Sequence, residues 1–179
     1  MSKKRITNHK SWDVLHCRRD SVIGKAIDDV TNSSDNSTGE SITHTAIFLS
    51  IFSVSFVIDS QSDGTRLRSY SKWIERYGYE YTTTRAVSNS INNKELMEKV
   101  SIYINSRYGF FDLIRHLIKN WTKKISKSGT GLWIGRRRSD KNLTCSEFVM
   151  RVFGNLDAYK ATPRDAFEWC ISKGHKIVK

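Results

Sequence analysis

The chain has 179 residues, 38% hydrophobic and 11% aromatic, enough for one domain with a sizeable core. Its 30 Lys and Arg against 18 Asp and Glu leave a formal net charge of +12, a surface that attracts nucleic acid, anionic lipid or anionic cell-wall polymer. Its 3 cysteines, Cys17, Cys145 and Cys170, have neither CxxC nor zinc spacing, which argues against a disulfide framework or a zinc module and for a reducing compartment.

In chain order, residues 1–10 read as a basic flexible leader, and 11–179 as a single domain. The leader has no apolar run behind it, so no secretory signal is expected. Trp12-Asp13-Val14-Leu15-His16 reads as a short strand. Ser21 to Val30 has helical spacing of Val22, Ile23, Ala26, Ile27 and Val30. Asn32 to Ser41 is a Ser/Asn/Asp/Gly loop.

Thr43 to Ile51 and Val54 to Ser60 are β-rich runs, with a turn within Ser50 to Ser53. The apolar run from Ala46 to Ile58 is broken by three serines, too short and too polar to span a membrane. Gln61 to Thr65 is a second turn, Arg66 to Tyr70 a further strand and Ser71 to Tyr77 a short helix. Tyr79 to Val87 is β-prone.

Asn92 to Asn105 reads as a helix capped by Asn92 or Asn93, with Leu96, Val100 and Tyr103 on one face. Phe110 to Trp121 reads as another. Lys123 to Lys141 is a basic loop. Helices then start at Cys145, and at Pro163 behind a Thr162 cap. Strands in the middle with helices before and after predict an α+β fold, with a central antiparallel sheet or small barrel packed against helices.

Thr144-Cys145-Ser146-Glu147 is the segment with chemistry in it. Thr144 and Glu147 have capping-box spacing. Cys145 would occupy the first helical position, where unpaired N–H groups and the dipole favour a thiolate. The same pattern also suits a small apolar residue packed under a helix.

A nucleophilic cysteine needs a base and a group that orients the base. Of the 5 histidines, His9 and His175 lie near the chain ends, where order is expected to be poor. His116 sits mid-helix, and His16 has no evident acid to orient it. His44 opens the most apolar strand, and Asp59 ends the next one. If the two strands pair as an antiparallel hairpin, these side chains come within reach. A strand-end histidine bonded to a turn aspartate, with no chemistry, fits the same residues.

An ordered set of segments goes further. It comprises Trp12-Asp13-Val14-Leu15, Asp20-Ser21-Val22-Ile23-Gly24-Lys25-Ala26-Ile27 and Thr43-His44-Thr45-Ala46. Val57-Ile58-Asp59, Tyr108-Gly109-Phe110-Phe111-Asp112 and Cys145-Ser146-Glu147-Phe148-Val149 follow. Over about Trp12 to Phe167 this resembles the circularly permuted papain-like cysteine hydrolases of the NlpC type. Bacterial lipoprotein-like hydrolases, poxvirus virion proteins and the lecithin retinol acyltransferase group are relatives of that family. In the permuted group the histidine strand precedes the cysteine helix, as here.

The resemblance implies a papain-like fold, with Cys145 as nucleophile, His44 as base and Asp59 as orienter. Relatives often carry Glu, His or another polar group at the third position, and a glycine where Ser11-Trp12 stands here. The implied activity is hydrolysis or acyl transfer at an amide or ester through a thioester, on a peptide, cell-wall or lipid acyl substrate. No cofactor or metal is called for.

Arg136-Arg137-Arg138 follow Trp133-Ile134 in the basic loop. They form a candidate surface for substrate, anionic membrane, wall polymer or nucleic acid. The competing function is a non-catalytic basic binding or virion-structural protein on the same frame. A cytoplasmic or virion-associated location is expected in either case.

Overall fold

The computed structural model describes residues 8–18, 42–78, 81–87, 92–108, 142–159 and 161–178. The expected helices at Ser21 to Val30 and Phe110 to Trp121, and the basic loop with Trp133, Arg136, Arg137 and Arg138, lie outside these residues.

The chain forms strands β1 (Val14–Cys17), β2 (His44–Ile51), β3 (Val54–Gln61) and β4 (Gly64–Ser69), then helix α1 (Tyr70–Tyr77) and strand β5 (Tyr81–Arg85). Helix α2 (Asn93–Tyr103) and the short strands β6 (Arg107–Tyr108) and β7 (Asn142–Leu143) come next. Helices α3 (Cys145–Val152) and α4 (Pro163–Ser172) and strand β8 (Lys176–Val178) close the described chain.

Six strands make one antiparallel sheet in the order β4-β3-β2-β1-β5-β8. β6 and β7 form a separate parallel pair. The expected α+β class with an antiparallel sheet and packed helices is what is observed. Among the described residues, no helix is long and apolar enough to cross a membrane.

The period-2 pattern of β2 divides its side chains between two cores. Ile47 and Leu49 join Val14 and Ile58 against Val100 of α2 and Phe148, Val149 and Val152 of α3. Ala46 and Phe48 join Leu15, Cys17 and Val57 against Trp73, Ile74 and Tyr77 of α1. Helices thus cover both faces. This is why the first six residues of β2 are all buried, although its apolar run does not alternate with polar residues.

Among the boundaries that differ from the expectation, three have a clear local cause. The first strand starts at Val14 rather than Trp12, because Trp12 takes φ 74°, incompatible with an extended strand. Its indole instead donates to Asn93 Oδ1 at 2.7 Å. The β2–β3 turn is tighter, with Phe52 and Ser53 both at positive φ, the hairpin conformation that matches strand twist. β4 begins at Gly64 (φ 96°), where an added Cβ would press on the Ser106 carbonyl oxygen; only glycine fits.

Candidate active site

Cys145 stands where the sequence puts it. Glu147 N–H donates to Thr144 Oγ1 at 3.3 Å, and Thr144 N–H donates to Glu147 Oε2 at 2.9 Å, a complete capping box. Ser146 is drawn away by its hydroxyl, which donates to the Ala161 carbonyl. Cys145 is therefore the thiol of the first turn, and its own N–H belongs to the orphan donors of the helix start.

β2 and β3 do pair as an antiparallel hairpin, with Ile47 opposite Ile58. Carried on at this register, Asp59 becomes a diagonal neighbour of His44. The two meet: His44 Nε2 and Asp59 Oδ2 are 3.1 Å apart, with Asp59 fully buried. The other ring nitrogen is left for the sulfur, and His44 and Cys145 are hydrogen-bonded. Cys145, His44 and Asp59 thus form one chain of contacts, supplied by α3, β2 and β3.

Asp59 is held by more than His44. Arg68 Nε donates to Oδ1 at 2.7 Å, and Trp73 Nε1 donates to Oδ2 at 3.0 Å. Gln61 Nε2 also donates to Oδ2. The Arg68 guanidinium grips Asp63 as well, at 3.0 Å from Nη1 to Oδ2. On its other side His44 lies flat on Tyr77, ring centroids 4.7 Å apart and planes 3° apart. Tyr77 in turn packs on Trp73 at 4.9 Å.

The electrostatics follow from these contacts. Burial works against ionising His44, but the Cys145 charge and the Asp59 hydrogen bond outweigh it and raise its pKa to about 9. Burial likewise works against the Cys145 thiolate. The His44 charge and hydrogen bond, with donors from Thr45, overcome it and lower the thiol. Asp59 is lowered too: burial raises it, and the His44, Gln61 and Arg68 hydrogen bonds and the His44 charge more than compensate. The opposite shifts favour a Cys145 thiolate beside a His44 imidazolium whose second N–H donates to the Asp59 carboxylate.

Arg68, Gln61, Trp73 and Tyr77 are not among the site residues expected from the sequence, and Thr45 enters there only as part of the Thr43-His44-Thr45-Ala46 segment. Gln61 sits two positions after Asp59 on the same strand face, a signal that was available. Trp73 and Tyr77 are a helical i, i+4 aromatic pair, also visible. Arg68 depends on the β3–β4 register, which places Arg66 rather than Arg68 opposite Asp59.

His9 and His175, expected in poorly held ends, are both packed into the fold. His9 bonds the Tyr81 hydroxyl at 2.9 Å and its ring lies 5.0 Å from that of Phe48. His175 is buried against Phe153. His16 contacts Thr84 at 3.0 Å, and burial with the nearby His175 pushes its pKa down to about 3.

A cavity of about 660 Å³ opens elsewhere, with Leu96, Lys99, Phe153, Trp169, Lys173 and His175 among its lining, and it contains none of the triad. It lies by the C-terminal end of α3, about 12 Å of helix rise from Cys145.

No family model matches the chain, and no match was found among curated proteins. Among solved structures it is similar to the metalloprotein yiiX from Escherichia coli O157:H7, described as DUF1105. The identity is 19% and the TM-score 0.55, over 84% of this chain and 68% of that one. Such a likeness concerns the fold alone. Among the described residues no group of three or more His, Cys, Asp or Glu side chains could hold a metal ion. Both Asp59 oxygens already accept hydrogen bonds. The described residues do not fit a metal at this site.

Proposed function

We propose that the protein is a cysteine hydrolase or acyltransferase that acts on an amide or ester through a thioester acyl-enzyme. The observation that carries this reading is the contact chain Cys145–His44–Asp59, with the thiol lowered and the imidazole raised. Reciprocal shifts of this kind suit an activated nucleophile rather than a packed core thiol. Cys170 is the contrast within the same chain: burial pushes its thiol up to about 12.

The chemistry runs in two halves. The Cys145 thiolate attacks the carbonyl carbon, and the carbonyl π electrons move to oxygen as the S–C bond forms. The Cys145 N–H, at the head of α3, helps hold that oxyanion. Collapse of the intermediate breaks the bond to the leaving amine or alcohol, which takes the proton of His44. His44, now neutral, removes a proton from water or another acceptor. That acceptor attacks the thioester and frees the thiolate. Asp59 keeps the imidazole in the productive orientation throughout.

The order of the segments, histidine strand before cysteine helix, supports a permuted papain-like frame of the NlpC type. A peptidoglycan-type amide or peptide bond, or a lipid acyl group, is the substrate class that this reading favours. The net charge of +12 suits an anionic wall polymer or membrane surface.

The test is labelling with a set of thiol-reactive acyl probes, followed by mass determination of the adduct. An acyl adduct on Cys145, lost in Cys145→Ala and His44→Ala, is expected. Labelling of Cys145→Ala at the wild-type level would remove the nucleophile assignment. Absence of any turnover, together with steeply salt-dependent DNA binding that Cys145→Ala leaves unaltered, would instead establish a basic binding protein on this fold.

A further inference from the structure

The Thr45 side chain is buried, and its hydroxyl has no hydrogen-bond partner among the described residues. Such a group is costly to bury without compensation. Thr45 follows His44 on β2 and belongs to the same strand face as Ile47 and Leu49, the face covered by α3. That alternation directs its side chain to the helix that begins with Cys145. The hydroxyl and the Thr45 N–H both lie by the Cys145 sulfur.

We infer that Thr45 is a further residue of the reacting centre: its hydroxyl, with its backbone N–H, serves as a neutral donor that holds the Cys145 thiolate in place. This rests on the reading of Cys145 as nucleophile. The arrangement gives the sulfur two kinds of support from adjacent positions of one strand. His44 supplies charge and takes part in proton transfer. Thr45 supplies donors that carry no charge and lose no proton, so its support persists when His44 is neutral. A hydrogen bond to an ionised acceptor is among the stronger kinds. An apolar residue of the same shape would leave the thiolate one donor short.

The experiment is the pH dependence of Cys145 alkylation by iodoacetamide in the full chain, read by peptide mass so that Cys17 and Cys170 do not contribute. Thr45→Val removes the hydroxyl and keeps the shape; Thr45→Ser keeps the hydroxyl. Thr45→Val is expected to move the Cys145 titration up by about one unit, a tenfold loss of thiolate at pH values below the titration, with Thr45→Ser close to wild type. If Thr45→Val does not fold, Thr45→Ala removes the same hydroxyl without crowding and is read the same way.

A low wild-type titration that neither Thr45→Val nor Thr45→Ala moves would overturn the Thr45 role and leave the Cys145–His44 pair standing. A wild-type Cys145 that titrates as an ordinary thiol would overturn both.

Discussion

His44 lies face to face on Tyr77, with the ring planes 3° apart. The stack fixes the tilt of the imidazole, which the Asp59 bond alone leaves free to swing about one nitrogen. Tyr77 is itself set by α1, whose Trp73 also reaches Asp59. One helix therefore supports both the base and its orienter.

Tyr77→Leu should lower acyl-probe labelling of Cys145 by a factor of about 2 to 10, the range expected from an aromatic pair energy of about 0.5–1.5 kcal/mol. Tyr77→Ala should add a loss of stability of about 3 kcal/mol, because it empties a buried aromatic site. Labelling rates at neutral pH together with denaturant unfolding separate the two effects. Equal labelling in wild type and Tyr77→Leu would show that the stack does not position His44.

The pH profile follows from opposite shifts in the pair. Cys145 is lowered and His44 is raised to about 9, so the ion pair exists between the two titrations. Acyl transfer should rise at a pH below that of a free thiol and fall above about pH 9, where His44 can no longer protonate the leaving group. Alkylation needs no general acid and should show no alkaline fall. For stability the signs are these: His44 favours the fold most below its unfolded pKa near 6.5, and its share is lost as pH rises toward 9. The lowered thiol loses its share as pH falls. A profile of acylation and alkylation rates from pH 4 to 10 checks the difference.

Asp59→Asn tests the orienter. The amide keeps the shape but removes the charge that helps to hold His44 protonated, so the His44 titration should move down. Acylation should fall roughly 10²-fold, the scale of general acid–base assistance. Asp59→Ala should in addition cost about 3 kcal/mol, because it strands Arg68, Trp73 and Gln61 donors around a buried gap. The His44 ring-proton chemical shift against pH, and urea unfolding, read the two consequences separately.

His16 sets a limit on acid stability. It is buried neutral, with a folded pKa of about 3 against 6.5 unfolded. The unfolded chain thus binds this proton first as pH falls. The contribution is fully present above about pH 6.5 and is lost progressively down to about pH 3, by at most roughly 1.4 kcal/mol per pH unit. His16→Gln should flatten the dependence of unfolding free energy on pH across that window. An unchanged slope would remove His16 as its source.

The local elements were legible because their signals are short-range. The capping box at Thr144 and Glu147, the Thr162 cap with Pro163, and the Asn92 cap of α2 are all present as the spacing predicts. The hairpin turn at Phe52 and Ser53 was harder to place, since neither residue is a usual choice for positive φ. The partners of Asp59 beyond His44 were not seen. They come from β4 and α1, and only the packed sheet brings those elements to one carboxylate.

The sequence by itself determined that a cysteine would head a helix, that a histidine would open a buried strand, and that an aspartate would stand in the last part of its neighbour. Each of these depends on hydrogen-bonding and periodicity within a few residues. Tertiary structure decided the rest. It chose the hairpin register that joins His44 to Asp59, and it brought α3 to the start of β2, where His44 and Thr45 both come beside Cys145. The thiol's pKa is a property of that arrangement. Burial alone would raise it, as it does for Cys170, and only a charge and donors from β2, about a hundred residues away along the chain, turn it the other way.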